Sequence, residues 1–166
     1  TGPQFIALAK KRPGELVYGS AGNGSFVHLS MALMAEMAGI KMIHVPYKGG
    51  GPSGTALVAG ETQAMLATIG SLYTHIKSGR ARPIGVSADK RVSQFPDVPA
   101  IAEFVPGYEF TAWVGSFVPA GTPKPIIDTL NAAIGKALAD KTVASKLTAQ
   151  TLDPMHMTPE EFAARI

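Results

Sequence analysis

The residues most able to do chemistry lie in three short segments built from glycine, serine and threonine. These are Gly19-Ser20-Ala21-Gly22-Asn23-Gly24-Ser25, Tyr47-Lys48-Gly49-Gly50-Gly51 and Thr68-Ile69-Gly70-Ser71. Each follows a short apolar run and leads into a helical pattern. Small residues let backbone N–H groups approach a ligand closely. The first turn of a helix leaves N–H groups unpaired, and its dipole favours negative charge there. Lys48 adds a full positive charge. The chemistry expected is a non-covalent hold on an anion such as a carboxylate, with Ser20, Ala21, Gly24, Ser25, Tyr47, Lys48, Gly49 and Thr68 as the candidate contacts. Ser25 reads most simply as a helix cap. His28, one turn further on, lies on the face near the first loop and also joins the candidates, although a lone histidine reads more readily as a structural hydrogen-bonder. A single loop of this kind would be no more than a tight turn; three at one sheet edge favour the anion cradle.

Enzyme motifs fail on specifics. Gly19-Ser20-Ala21-Gly22-Asn23-Gly24 has its glycines in the wrong order for a dinucleotide fingerprint, and no acidic residue ends the second apolar run. In Lys48-Gly49-Gly50-Gly51 the lysine precedes the glycines, unlike a phosphate loop. Gly51-Pro52-Ser53-Gly54-Thr55 misses a nucleophile elbow at its last position. His28, His44, His75 and His156 lack zinc spacing, and no carboxylate pair falls at a strand end. No cofactor is called for, and binding without turnover is the first reading. Two other classes share the pattern: a phosphate- or nucleotide-handling enzyme domain using the same cradle, and a protein-interaction module.

The elements that position these loops alternate. Helix signals at 4–12 precede a strand at Leu16-Val17-Tyr18, then a helix at 26–38. The theme returns with a strand at 42–45 and a helix at 52–59, a strand at 63–68 and a helix at 72–77, and a fourth strand at 82–87. Strands alternating with helices through short loops imply parallel βαβ units. The expected class is α/β, an open, mainly parallel sheet with helices on both faces and the strands at Leu16, Ile43, Met65 and Ile84 adjacent. In the helix at 26–38, Phe26, Leu29, Leu33 and Met37 share one face, while Val27, Met31 and Met34 occupy other sides. A helix apolar nearly all round is expected to be sandwiched. Beyond residue 100 the pattern changes. It has a short helix near 100–104, a long strand candidate at 110–118, and a helix that Thr122 caps with Pro123 at its first position. Ile126, Leu130, Ile134 and Leu138 form that helix's stripe, read as buried. A helix at 142–148, a weak strand at 152–156 and a capping box at Thr158-Pro159-Glu160-Glu161 follow. Tyr108 and Trp113 could line a cleft, but read more readily as core.

Of the 166 residues 46% are apolar and 16% charged, and the net charge is +3. A large core is expected from fewer charges than usual. Lys10-Lys11-Arg12 is the one basic cluster, reads as a cationic helix end, and has no interleaved aromatics for nucleic acid, so no nucleic-acid partner is expected. The absence of cysteine excludes disulfides and thiolate sites. No apolar run is long enough for a membrane helix. The chain opens with Thr1-Gly2-Pro3 directly into a helical pattern, without a signal-peptide pattern, as a mature or truncated N-terminus would.

Tyr18-Gly19-Ser20-Ala21-Gly22-Asn23-Gly24-Ser25 with His28, followed by His44-Val45-Pro46-Tyr47-Lys48-Gly49-Gly50-Gly51-Pro52, resembles the Bug family. These are the TctC-like substrate-binding proteins of tripartite tricarboxylate transporters. The resemblance continues through Phe95-Pro96-Asp97-Val98-Pro99, Trp113, Pro119-Ala120-Gly121-Thr122-Pro123 and Thr158-Pro159-Glu160-Glu161-Phe162, and so covers essentially the whole chain in the family's order. It implies a periplasmic two-lobed (Venus flytrap) binder of small carboxylates that serves the membrane components of a transporter. It places Ser20 to Ser25, His28 and Tyr47 to Gly49 in the second lobe's half of the cleft. On this reading residues 1–118 form the second lobe, 119–166 are a helical segment that in the family returns towards the first lobe, and the first lobe is missing. Where family members often carry an aspartate in the third strand, this chain has Ala67-Thr68, which argues against an amino-acid ligand. A lobe without its partner is expected to bind weakly and to self-associate, as a homodimer, through apolar surface around Trp113 and the 126–134 stripe.

Overall fold

Tyr18 and its neighbours sit at the centre of a parallel ladder in the computed structural model, which describes residues 1–93, 95–149 and 152–166. The chain begins with α1 (Gly2–Lys11), capped by Thr1 and Gln4. There follow β1 (Val17–Ser20), α2 (Phe26–Ala38), β2 (Ile43–Pro46), α3 (Gly50–Ala59), β3 (Ala64–Met65) and α4 (Ile69–Lys77). The sheet order is β2-β1-β3, and both pairings are parallel, Tyr18 lying opposite His44 on one side and Ala64 on the other. This is the open parallel α/β arrangement that the alternating pattern implies. The Cα-contact pattern divides the chain into two compact units, 1–112 and 113–166.

The first unit holds the core. Ala9 of α1, Leu16, Tyr18, Met31, Met34 and Ala38 of α2, Ile40, Ala64, Ile101, Val105 and Tyr108 pack together, with Phe5, Ile6, Phe104 and Phe110 against them. Gly19 lets α3 lie close on β1, since a Cβ at that position would fall 2.6 Å from Oγ of the buried Ser53. Gly39 closes α2 in the left-handed conformation, φ 62°, as its place after the apolar run suggests.

The rotation of α2 differs from the expectation. Met31, Met34 and Ala38 face the core together with Ser30, while Leu29, Leu33 and Met37 are 48%, 36% and 41% exposed. The helix is therefore not sandwiched within this chain. A helix apolar on every side offers no periodic signal for choosing a face. The choice falls to a polar contact, the Ser30 hydroxyl paired at 2.8 Å with the buried Tyr108 hydroxyl, which also donates to Ser30 O. Tyr108 is accordingly core.

The expected fourth strand at 82–87 does not form; only an isolated parallel bridge joins Val86 to Ala100. Pro83 has no N–H for a ladder. The Val86 N–H goes to Pro99 O, its carbonyl accepts from Ile101, and Ser87 O accepts from Phe110. Ile84 therefore joins no strand. The short helix near 100–104 is a 3-10 turn at Ile101–Glu103. Arg91 binds both oxygens of Glu103, and the Ala100 N–H donates to the same carboxyl. Those bonds, the Arg91 bonds foremost, hold the carboxyl down to about 2. The strand candidate at 110–118 forms no strand; the Phe110 N–H donates to Ser87 O, and the Thr111 hydroxyl to Glu109. The strand expected at 63–68 and the helix expected at 72–77 are also redrawn. β3 has two residues, and α4 starts at Ile69, so Gly70-Ser71 is a first helical turn rather than a connecting one.

The second unit carries α5 (Lys124–Ala139), α6 (Lys141–Ala149) and α7 (Pro159–Arg165), the last with its capping box formed. Thr122 does not cap α5. Its hydroxyl and N–H both bond Pro119 O, closing a turn, and Pro123 takes the cap position without a side-chain bond. The stripe read as buried is not: Ile126, Leu130 and Ile134 are exposed, and α5 has no fully buried residue. The segment 152–156 is not a strand. Phe162 of α7 packs edge-on with Trp113 and beside Phe117, where the absence of a side chain on Gly115 makes room for its ring.

Tyr108→Phe leaves the Ser30 hydroxyl buried without its partner, and the cost of a buried unsatisfied group is about 1–3 kcal/mol. Urea denaturation of the variant is expected to show a lower midpoint by that amount with an unchanged slope.

Candidate functional site

Parallel pairing brings the carboxyl ends of β1, β2 and β3 to one sheet edge, where ligands of open α/β folds bind. The loops after β1 and β2 are tied by two backbone bonds, Tyr47 N–H to Ser20 O at 3.0 Å and Gly49 N–H to Ala21 O at 3.2 Å. Each of the three loops leads into a helix: Ser25 caps α2, Gly49 α3 and Thr68 α4.

The sequence candidates divide into those that face outward and those that hold the loop. Ser20 is fully buried. Its Oγ donates to Gly22 O, accepts the Gly22 N–H and lies 2.6 Å from Nε2 of His44, so it braces the loop from within. Ser25 Oγ donates to Gly22 O at 2.7 Å and accepts the His28 N–H at 3.4 Å, the cap that its position implies. Gly24 N–H donates to His28 Nδ1 at 3.0 Å, and Gly49 N–H to Ala21 O, so neither of these amides is free. Tyr47 sends its hydroxyl to Glu61 at 3.5 Å; desolvation first, and the Glu61 carboxylate second, raise its pKa. Lys48 is exposed and makes no ion pair among the described residues. Thr68 is exposed, with its hydroxyl not used in a cap bond.

The donors left over lie one step beyond the residues that the sequence singles out. The N–H groups of Phe26 and Val27 on α2, Gly50 and Gly51 on α3, and Ile69 and Gly70 on α4 have no partner among the described hydrogen bonds. These are the groups a first helical turn leaves open. Their signal in the sequence is positional, the first two residues after each cap, and not chemical. His44 was also missed as a site residue. Its ring stacks on His28 at 4.0 Å between centroids and 15° between planes, and on Tyr18 at 4.9 Å. The register opposite Tyr18 is what puts it there. Burial, and secondly the neighbouring His28, lower its pKa below the ordinary 6.5. Burial likewise raises that of Tyr18. No group of three or more potential metal ligands occurs among the described residues.

An open parallel sheet with three helix N-termini at one edge is the arrangement in which α/β folds hold ligands beyond their strand ends. The family model described as the tripartite tricarboxylate transporter family receptor matches residues 1–166, and the chain belongs to that family. It is 38% identical over 162 residues to the UPF0065 protein in the tcbD-tcbE intergenic region of Pseudomonas sp. (strain P51), covering 96% of this chain and 48% of that one. Among solved structures, Rpa4515 of R. palustris with adipate has a TM-score of 0.90 at 32% identity, covering 97% of this chain and 54% of the other. MatC (Rpa3494) from Rhodopseudomonas palustris with bound malate has a TM-score of 0.83 at 31% identity, with 95% and 53% covered. The chain thus spans about half the length of these relatives.

The depressed His44 pKa has a thermodynamic consequence. The folded state favours the neutral ring, so this contribution to stability is intact above the unfolded value of 6.5 and is lost as pH falls toward and through the lowered one. Denaturation midpoints measured between pH 7.5 and 5 should fall for the native chain and fall less for His44→Gln (both pH limits bracket about one unit or more around the histidine range).

Proposed function

We propose that this chain supplies one half of a carboxylate-binding cleft in a periplasmic solute receptor serving a tripartite transporter. The observation that carries the reading is the set of six open N–H groups on the first turns of α2, α3 and α4 at one sheet edge. Partial positive charge at three helix starts, with Lys48 beside them, favours an anion. A carboxylate accepts two to four such bonds, and none of them requires a side chain to ionise. Relatives solved with adipate and malate bind dicarboxylates, which supports a ligand of the same class here. Ser20, Ala21, Gly24, Ser25, His28 and Gly49 are proposed to shape the cradle. Phe26, Val27, Gly50, Gly51, Ile69 and Gly70 contribute the contacts, with Lys48, Tyr47 and Thr68 at the rim. Residues 1–118 are proposed as the ligand-binding lobe and 119–166 as the segment that serves a first lobe like that of the relatives.

Two measurements test this. Amide shifts followed by NMR while adipate, malate or citrate is added should move first at those six residues, with dissociation constants near or above about 1 mM, equivalent to about 4 kcal/mol. Gly50→Pro removes one N–H at a helix position that tolerates proline, and is expected to weaken binding about tenfold or more, the value of a charge-assisted hydrogen bond. Gly50→Ala, whose Cβ meets nothing within 4 Å, keeps the N–H and should bind as the native chain does. No response of these amides to any carboxylate would overturn the reading.

The isolated chain is further proposed to form a homodimer. Ile126, Leu130 and Ile134 make an exposed apolar stripe on α5, and Trp113, Val114 and Phe117 are exposed in the same unit. Sedimentation at micromolar concentration is expected to give twice the monomer mass; a monomer that binds a carboxylate tightly would defeat the proposal.

A further inference from the structure

The cradle contains a competitor for one of its own donors. His28 Nδ1 accepts the Gly24 N–H at 3.0 Å, so in this arrangement Nδ1 is unprotonated and the ring's proton sits on Nε2. The same ring lies flat against His44, 4.0 Å between centroids, and His44 is tied through Nε2 to the buried Ser20 that braces the loop. Two imidazoles in this relation cannot both carry charge without direct repulsion. Among the described ring contacts the two histidines face each other and Tyr18 of β1, whose ring centroid is 6.4 Å from His28 and 4.9 Å from His44. Tyr18 stays a neutral phenol, since burial raises its pKa further above neutrality. Lys48, in the loop after β2, is exposed and bonds to neither ring among the described contacts.

We infer that carboxylate capture at this edge is linked to the uptake of one proton by the stacked His28–His44 pair, with His28 Nδ1 as the acceptor. The inference rests on the cradle reading above. When a proton from solvent binds Nδ1, the imidazolium has two donors and no acceptor. The Gly24 N–H is then released from His28 and becomes a further donor to the anion. The ring also gains a positive charge in the same first turn as the open Phe26 and Val27 amides. Both effects strengthen the hold on a carboxylate, and by linkage the bound carboxylate favours the protonated ring by the same factor. The partner ring stays neutral. Burial and the charge on His28 both disfavour a proton on His44, and its bond to Ser20 keeps the loop in place while His28 changes state. His28 is thus a proton-linked binding residue and His44 a positioning residue that limits the uptake to one.

The test has one arm without ligand and one with it. In the free chain, the Gly24 amide followed by NMR from pH 8 to 5 should shift in step with the His28 ring signals, while the His44 ring stays neutral until below its ordinary value. A Gly24 amide that ignores the His28 titration overturns the inference whether or not any ligand binds. In the second arm, adipate is titrated calorimetrically in buffers of different ionisation heat. Uptake of up to one proton per adipate is expected, and affinity should fall by as much as about tenfold per pH unit across the window where uptake occurs. His28→Asn keeps a side-chain acceptor for the Gly24 N–H but cannot take a proton, so its adipate affinity should be independent of pH. Adipate binding with no proton uptake overturns the inference and leaves the cradle standing. A chain whose cradle amides fail to respond to adipate at any pH overturns both.

Discussion

The parallel register of β1 between β2 and β3 is the constraint on which the site depends. Because all three strands run the same way, their carboxyl ends emerge together, and the helices that follow point their N-termini at one edge. An antiparallel neighbour would have sent its loop to the opposite edge. Gly19 is part of the same constraint, since only a residue without a side chain lets α3 settle against β1 at Ser53. Pairing β1 with β2 also places Tyr18 opposite His44, and from that pair the stacked rings of His28, His44 and Tyr18 follow.

Around that edge the side chains and the backbone divide their roles. Ser20, Ser25 and His28, which look like ligand contacts when read one at a time, spend their hydrogen-bonding capacity on the loop itself. The capacity left open belongs to backbone amides. Such an arrangement suits recognition of a charge class, since a helix start presents the same donors to any carboxylate. It also suits binding without chemistry, since backbone amides neither donate nor remove protons. Two imidazoles, His28 and His44, lie stacked at the same edge.

Two helices carry exposed apolar faces. Leu29, Leu33 and Met37 on α2 and Ile126, Leu130 and Ile134 on α5 stand open to solvent, although each set has the spacing of a buried helical face. The relatives it matches are about twice as long. Apolar periodicity records that a face is to be covered, and it does not say by which part of a molecule.

The sequence by itself determined the grammar of the fold and the composition of the edge. The alternation of short apolar runs with Gly/Ser loops gave the parallel class. The helix of residues 26–38 and its Gly39 stop, and the Thr158 capping box, are local hydrogen-bonding and backbone-conformation signals, and they hold in the structure. Glycine, serine and lysine in three loops pointed to an anion. Tertiary structure alone decided what depends on distant partners. The segment at 82–87 is not a strand because residues 99–101 and 110 occupy its backbone groups. The buried face of α2 is set by Tyr108, 78 positions away from Ser30. Which amides remain open, and the meeting of His28 with His44, follow from the register of two strands and the entry of one helix. Periodicity and residue type report local preference; the pairing of groups far apart in the chain is fixed only when the backbone closes on itself.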